Sequence, residues 1–395
     1  MVGKIVIGAA FGDEGKGLFV DYLTSQTEYP IVVRFNSGAQ CSHTVVTPEG
    51  DRHVFSHIGS GTFLNAPTYL SEYVVNNPLL FCKEYDELEQ KPNIMVDRKG
   101  LVTAPFDMIL NRLVERTRGI KQRHGSCGIG FGETIERAER GFDTRIEDLV
   151  FSNHFLEKLQ QIEKEYVPIR CKELGVEKIY NDEYSGIIND ILKCFMLDVE
   201  HFLDIVQISI LNDIRDRNIV FEGAQGLMLD MDHGEFPHVT RSNTGLKNAL
   251  NLCDRLGIKD IDVFYMTRAY ATRHGAGPFP TEVAGIPYPN VVENTNVTND
   301  WQGGFRFGIL DLPSLSSFIY RDMDEIRNYS NMNFMINLGI TCMDQVDEKI
   351  RVETGPGVQL DLKHEELFDI LRSTFFDFGF YQSNGPTRNT IDKIV

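Results

Sequence analysis

The chain has 395 residues, 42% hydrophobic and 24% charged, with a formal net charge of −18. That is globular composition, long enough for one large α/β domain or two ordinary ones. It has no apolar run of about 18 residues and no Lys/Arg cluster forming a basic face, so neither a membrane nor nucleic acid is an expected partner.

The first element in chain order is a strand, KIVIG, followed by the loop GAAFGDEGKG (Gly8 to Gly17) and a helix-like run. This is the outline of a phosphate loop. The Walker pattern would need Gly and Ser/Thr where Ala10 and Gly17 stand. The glycines let backbone N–H groups approach a phosphate, and Lys16 adds positive charge. Asp13 and Glu14 would repel that phosphate unless one of them has another task. Two tasks fit: holding Mg²⁺ or taking a proton from a substrate. The structural alternative is a tight turn with Asp13 capping the helix. On a chain this acidic, phosphate binding needs local donors: loop amides, a helix N-terminus, a few cations and a metal.

PIVVRF is the next strand, leading into RFNSGAQCSHTVV (Arg34 to Val46). His43 lies there after a small-residue loop, either facing a ligand or structural. Thr44 to Phe55 reads as a hairpin about a Pro-Glu-Gly-Asp turn. NIMVD is a strand and Phe106 to Arg116 a helix. HGSCGIGFGETIERAERG (His124 to Gly141) is a glycine-rich loop that either wraps an anion or is a mobile surface segment. Cys41 and Cys127 sit in such loops as nucleophiles or as small fillers. The seven cysteines are scattered, without CxxC or Cys/His spacing. Neither structural zinc nor a disulfide framework is expected, and a reducing, cytoplasmic setting is. The N-terminus lacks the pattern of a secretory leader.

Helical periodicity covers Phe155 to Tyr166 and Ile187 to Arg215. The region of about 151–215 therefore reads as a helical insertion in a single domain spanning 1–395. NIVFEG is a strand, continuing into FEGAQGLMLDMDHGEFPHVTRSNTG (Phe221 to Gly245), where the Gln225 amide can read a base edge. DVFYM is a strand before TRAYATRHGAGPFPTE (Thr267 to Glu282), stiffened by Pro278 and Pro280. A helix over Leu315 to Arg327 and the strand NFMINL follow. Strands alternating with helices imply an α/β fold: a large, mainly parallel central sheet covered by helices. Ligands then bind at strand carboxyl ends, where the glycine-rich stretches fall.

Together these motifs resemble adenylosuccinate synthetase along the whole chain. GDEGKG, SGAQCSHT, FEGAQG with LDMDHGEFPHVT, ATRHGAGPFPTE, ITCMD and SNGPTRNTI (Ser383 to Ile391) are similar to that family's signatures in order and spacing. The resemblance implies a ligase that joins aspartate to C6 of IMP with GTP and Mg²⁺, through a 6-phosphoryl intermediate, giving adenylosuccinate, GDP and phosphate. It implies that Asp13 removes the N1 proton and, with Ser42, ligates Mg²⁺. His43 would stabilise charge on the transferred group or protonate the departing oxygen, and Lys16 with the loop amides would hold the phosphates. Gly12, Glu14, Gly15, Lys16, Gly17, Ser42, Thr44, Asp344, Ser383 and Gly385 would bind the triphosphate. Gln40, Ser126, Cys127, Arg140, Gln225, Thr240, His274 and Gly275 would hold the purine monophosphate with Asp13. Thr298 and Arg306 would hold aspartate. A homodimer is implied, with Arg137 or Arg140 reaching the partner's nucleotide.

The sequence also departs from the family. VTNDWQGGFRFGILD (Val297 to Asp311) replaces a Thr-Thr-Gly-Arg-x-Arg-Arg loop, and the Arg that would meet a ribose 2′-OH is missing. Gln40 replaces Asn, Ser126-Cys127 replaces Thr-Thr, and Cys342 replaces Lys. These changes admit a rival substrate, dGMP or another 6-oxopurine nucleotide, giving 2-amino-deoxyadenylosuccinate, with ATP as a possible donor. Asp13 counts against that rival. A non-catalytic nucleotide-binding protein is a further alternative, against which the retention of Asp13, Lys16, His43 and Gln225 counts.

Overall fold

The computed structural model describes residues 2–118, 126–293 and 304–394. Thr298, expected to hold aspartate, lies outside them, as do His124 and Gly125 of the glycine-rich loop.

Ten strands form the central sheet. Across it they run Ile391–Ile394, Gly379–Ser383, Asn333–Thr341, Asp260–Arg268, Val2–Gly8, Asn218–Gly226, Pro30–Arg34, Thr68–Leu70, Ile94–Asp97 and Val206–Ser209. All neighbours are parallel except the edge strand Ile391–Ile394, which pairs antiparallel with Gly379–Ser383. The inner strands are apolar and buried on both faces, as parallel strands covered by helices must be.

The topology decides where a ligand can sit. The chain first builds outward from Val2–Gly8 through Pro30–Arg34 to Val206–Ser209. It then returns to place Asn218–Gly226 beside the first strand, and builds the other half through Asp260–Arg268. The order therefore reverses at the first strand and its two neighbours. A crevice opens there at the carboxyl ends, where GDEGKG, Gln225 and Arg268 fall.

The expected helices form over Pro105–Thr117, Ser152–Gln161 and Leu312–Met323. The hairpin forms from His43–Val46 and Arg52–Phe55. One segment differs from its periodicity. The helix expected to reach Arg215 is Ile188–Ile205, and Val206–Ser209 then becomes the outermost parallel strand. Its β-branched and alternating VQIS pattern is too short to register as a change of period after an 18-residue helix. The helices of 152–205 pack on one apolar cluster with Phe81, Phe106 and Leu110. Phe202 stands edge-on to Phe81, ring centroids 4.9 Å apart.

Candidate active site

The first helix, Lys16–Ser25, starts without a side-chain cap: its N-cap is Gly15, at φ 77°. Asp13 is therefore not a capping residue. The helix's leading N–H groups have no intrahelical acceptor and are free for an anion. Close approach explains the glycines. A Cβ on Gly15 would lie 2.9 Å from Thr341 Cγ2, and one on Gly17 would lie 3.0 Å from His43 Cβ. The loop, the end of Asn333–Thr341 and His43 are thus pressed together.

Glu14 was expected among the phosphate binders, but the structure gives it to the loop itself. Its Oε1 accepts from the amides of Gly12 (2.6 Å) and Ala10 (3.2 Å), and its Oε2 pairs with Lys16 Nζ at 3.3 Å. Burial pushes the Glu14 pKa up, while Lys16 and the Gly12 amide oppose that. Lys16 Nζ also donates to the Gly12 carbonyl at 2.6 Å. One carboxylate and one ammonium hold the loop open around its glycines.

Asp13, Lys16, Ser42, His43 and Asp344 line one cavity of about 430 Å³, with Gly385 at its edge. Gly12, Gly15, Gly17 and Thr44 complete the same wall. Motifs more than 300 residues apart in sequence meet here. Asp344 and Ser42 are exposed at the mouth. Ser383 is buried, and its hydroxyl donates to the Gly385 carbonyl at 2.7 Å, so it shapes the turn that presents Gly385.

His43 has a partner the sequence reading missed. Its Nδ1 lies 2.5 Å from Glu222 Oε1, both side chains buried. Glu222 also accepts from Ser60 Oγ (2.5 Å) and Ser60 N (2.9 Å), with Arg34 at 3.9 Å. Burial alone would raise the Glu222 pKa, but Arg34, His43 and Ser60 bring it down to about 2. Burial, with Arg34 and Lys16 nearby, lowers His43 to about 4 against the pull of Glu222. At neutral pH His43 is therefore neutral. The ionised carboxylate fixes the proton on Nδ1 and leaves Nε2 as the unprotonated nitrogen. An acid inside the apolar strand NIVFEG was the available signal, since a buried carboxylate requires partners.

Arg268 was missed too. It lines the cavity, and its Nε donates to the Asp13 carbonyl. Its NH1 donates to Tyr270 OH (3.2 Å), which donates in turn to Gln345 Oε1 (2.6 Å). This chain ties the Asp13 loop to the segment carrying Asp344.

The adjoining groups divide between exposed donors and anchors. Both amide atoms of Gln40 are buried with no hydrogen-bond partner among the described residues, a state native side chains rarely keep without a ligand or water. Ser126 Oγ donates to Asn111 Oδ1 (2.9 Å) and accepts from Gly128 N (3.3 Å). Cys127 has its thiol pushed up to about 11, first by burial and then by Cys41 and Asp13. Burial raises Cys41 as well. Burial thus disfavours the thiolate at both, which argues for the small-filler reading over the nucleophile. Gln225 is the last but one residue of the strand Asn218–Gly226, at φ 61°, and a Cβ on Gly12 would sit 3.1 Å from its Cα. Thr240 is anchored by its N–H to Leu229 O at 2.8 Å. His274 stands edge-on to Phe305, centroids 5.7 Å apart, and Gly275 N donates to Gly304 O at 3.2 Å.

The arginines separate clearly. Arg137 is fully buried and bidentate on Asp107 (2.8 and 2.9 Å), and it also donates to Val102 O, Phe142 O and Thr144 Oγ1. It is a framework residue and cannot reach a second subunit. Arg140 is at the surface, paired with Glu136 (2.8 Å) and Glu173 (2.9 Å) of its own chain. Arg306 donates to both oxygens of Glu282.

Among the described residues, no three His, Cys, Asp or Glu side chains form a metal cage. One carboxylate and one hydroxyl on a shared cavity, Asp13 and Ser42, nevertheless suit Mg²⁺. That ion takes one or two protein oxygens and fills its remaining positions with phosphate and water.

Residues 5–357 match the adenylosuccinate synthetase family. The adenylosuccinate synthetase of Clostridium botulinum (strain Eklund 17B / Type B) is 31% identical over 371 residues, covering 89% of this chain and 80% of its own. That of Microcystis aeruginosa is 34% identical over 295 residues, covering 72% and 63%. Among solved structures, the fully ligated adenylosuccinate synthetase of Plasmodium falciparum superposes with a TM-score of 0.77 at 20% identity, over 99% of both chains. The succinoaminodeoxyadenylate synthetase of cyanophage S-2L, solved with dGMP and dATP, gives 0.58 at 17% identity, over 99% of this chain and 95% of its own. These two likenesses are of fold.

Proposed function

This chain belongs to the adenylosuccinate synthetase family, C–N-bond-forming ligases of purine biosynthesis, and on that premise we propose that it joins L-aspartate to C6 of IMP at the expense of GTP. The observation that carries this reading is the single cavity lined by Asp13, Lys16, Ser42, His43 and Asp344. It gathers Asp13, the GDEGKG loop, His43 and Asp344 around one volume, which supports their reading as base, phosphate loop, acid and guanine reader.

Asp13 takes the N1 proton of the 6-oxopurine. The electron pair moves to O6, which attacks the γ-phosphorus, and GDP leaves. The aspartate amine then adds at C6, and phosphate carries O6 away as the leaving group. Lys16 and the loop amides hold the phosphates, and their fixed positions favour the charge that develops on transfer. Asp13 and Ser42 are the residues that would hold Mg²⁺, which supplies charge neutralisation to the phosphates. His43 is neutral before the triphosphate arrives. The incoming anion offsets the field of Lys16 and Arg34, so His43 takes up a proton and donates from Nε2 to the transferred group, with Glu222 balancing the imidazolium. Asp344 accepts from the guanine N1 and N2 groups and selects GTP.

Gln40, with its amide unpartnered, and Gln225 bind the purine monophosphate, together with the Ser126–Cys127 loop, Thr240, His274 and Gly275. Arg306, with Thr298, takes an aspartate carboxylate. The protein works as a homodimer in which the exposed Arg140 approaches the partner's nucleotide.

The test is an incubation with GTP or ATP, aspartate, and either IMP, GMP, dGMP or dIMP, read by mass spectrometry. Adenylosuccinate from IMP and GTP is the expected product. A succinyl product from dGMP alone would overturn the substrate assignment and leave the chemistry standing. No product from any nucleotide would favour a binding protein.

A further inference from the structure

The strand Ala271–His274 pairs antiparallel with Phe305–Gly308, and the register sets Arg273 directly opposite Arg306. Like charges facing one another across two strands are unfavourable unless a counter-charge is supplied. Arg273 has no carboxylate partner among the described residues. It donates to the Ala276 and Pro278 carbonyls and lies over the Phe11 ring, 4.5 Å from its centroid. Burial and the nearby Arg306 bring its pKa down to about 10. Among the described residues, Glu282 is the carboxylate paired with Arg306: Nε–H to Oε1 at 2.8 Å and NH2 to Oε2 at 2.5 Å. The remaining nitrogen, NH1, donates to the Gly275 and Gly277 carbonyls at 3.1 and 2.8 Å.

These bonds use four of the five guanidinium N–H groups. A second carboxylate cannot dock on the Nε/NH2 edge while Glu282 is there. Glu282 is accessible, its side chain 42% exposed, so it can swing out into water. We propose that Glu282 is a built-in carboxylate that occupies the Arg306 fork in the free enzyme, is displaced by a carboxylate of the amino-acid substrate, and so sets the enzyme's affinity for that substrate. The inference rests on the reading of Arg306 as the amino-acid anchor. The geometry carries it further than that reading, because the planar fork accepts one bidentate carboxylate at a time on a given edge. An exchange of one carboxylate for another at a half-exposed pair costs little, which suits a substrate that must bind and leave.

The experiment measures KM for aspartate, IMP and GTP in the full-length enzyme and in Glu282→Gln, Glu282→Asp and Arg306→Gln. Glu282→Gln should lower KM for aspartate by up to about fivefold with KM for both nucleotides unchanged. Glu282→Asp, with a shorter reach, should lower it less, and it serves as the reading if the Gln variant does not fold. Arg306→Gln should raise KM for aspartate. If Arg306→Gln raises it while neither Glu282 variant lowers it, Glu282 is a structural partner only and the inference is overturned. If Arg306→Gln leaves it unchanged, the assignment of Arg306 fails first and takes the inference with it.

Discussion

His43 Nδ1 and Glu222 Oε1 stand 2.5 Å apart across 179 positions of sequence, the first at the start of the hairpin strand His43–Val46 and the second inside the sheet strand Asn218–Gly226. That contact gives the imidazole its tautomer and its orientation toward the cavity. Glu222→Gln keeps the shape but offers no charge to balance an imidazolium. It should lower kcat by about 10- to 100-fold with KM for the substrates nearly unchanged, in steady-state assays. A kcat within twofold of the parent would show that Glu222 only fills space.

The depressed pKa of His43 has two consequences. If the triphosphate drives its protonation, binding near pH 6.5 should take up close to one proton. Calorimetry in buffers of different ionisation enthalpy would detect this, and His43→Asn should abolish it.

The second consequence concerns stability. The unfolded chain protonates His43 near pH 6.5 and the folded chain only near 4. The contribution is complete above 6.5 and is lost as pH falls through this window, at up to about 1.4 kcal/mol per pH unit. Glu222 is depressed to about 2, so its own contribution persists until the pH drops below the ordinary carboxylate range. Between pH 6.5 and 4.5 the melting temperature of the parent should therefore fall more steeply than that of His43→Asn.

Arg137 and Arg140 should behave oppositely. Arg137→Ala leaves Asp107 buried and uncompensated, although that carboxylate also caps the Pro105–Thr117 helix through Ala104 N at 2.8 Å. The expected cost is about 3–5 kcal/mol in denaturant unfolding. Arg140→Ala should change stability by less than about 1 kcal/mol. If Arg140 reaches the partner's nucleotide, this variant will lose activity without losing its fold.

Gly15→Ala combines a φ of 77° with a contact 2.9 Å from Thr341. It should abolish triphosphate binding in equilibrium titrations while the circular dichroism stays that of the parent.

The parallel sheet was legible because its strands are short apolar runs with no polar face, separated by helical periods. The strand Val206–Ser209 was not legible, because nothing in its four residues breaks the pattern of the helix before it. The cavity's outline could be read from GDEGKG, SHT and the segment carrying Asp344. The residue types alone did not say which of the two adjacent acids faces the cavity. Glu14 is turned inward by amide contacts within the loop, and those depend on backbone geometry rather than on residue type. Glu222 and Arg268 escaped notice because His43 and Ser60 for the first, and Asp13 for the second, lie more than 150 residues away in sequence. Arg137 and Arg140 could not be told apart, because nothing in the ERAER run says which arginine turns inward to Asp107.

If Asp13 lets the purine O6 attack the γ-phosphorus, that oxygen must leave with the phosphate. The direct measurement uses IMP carrying ¹⁸O at O6, with GTP, Mg²⁺ and aspartate, and follows the label by mass spectrometry of the released phosphate. One labelled oxygen per phosphate is the expected result, with no turnover in Asp13→Asn. Label appearing in water, or remaining with the purine, would contradict it.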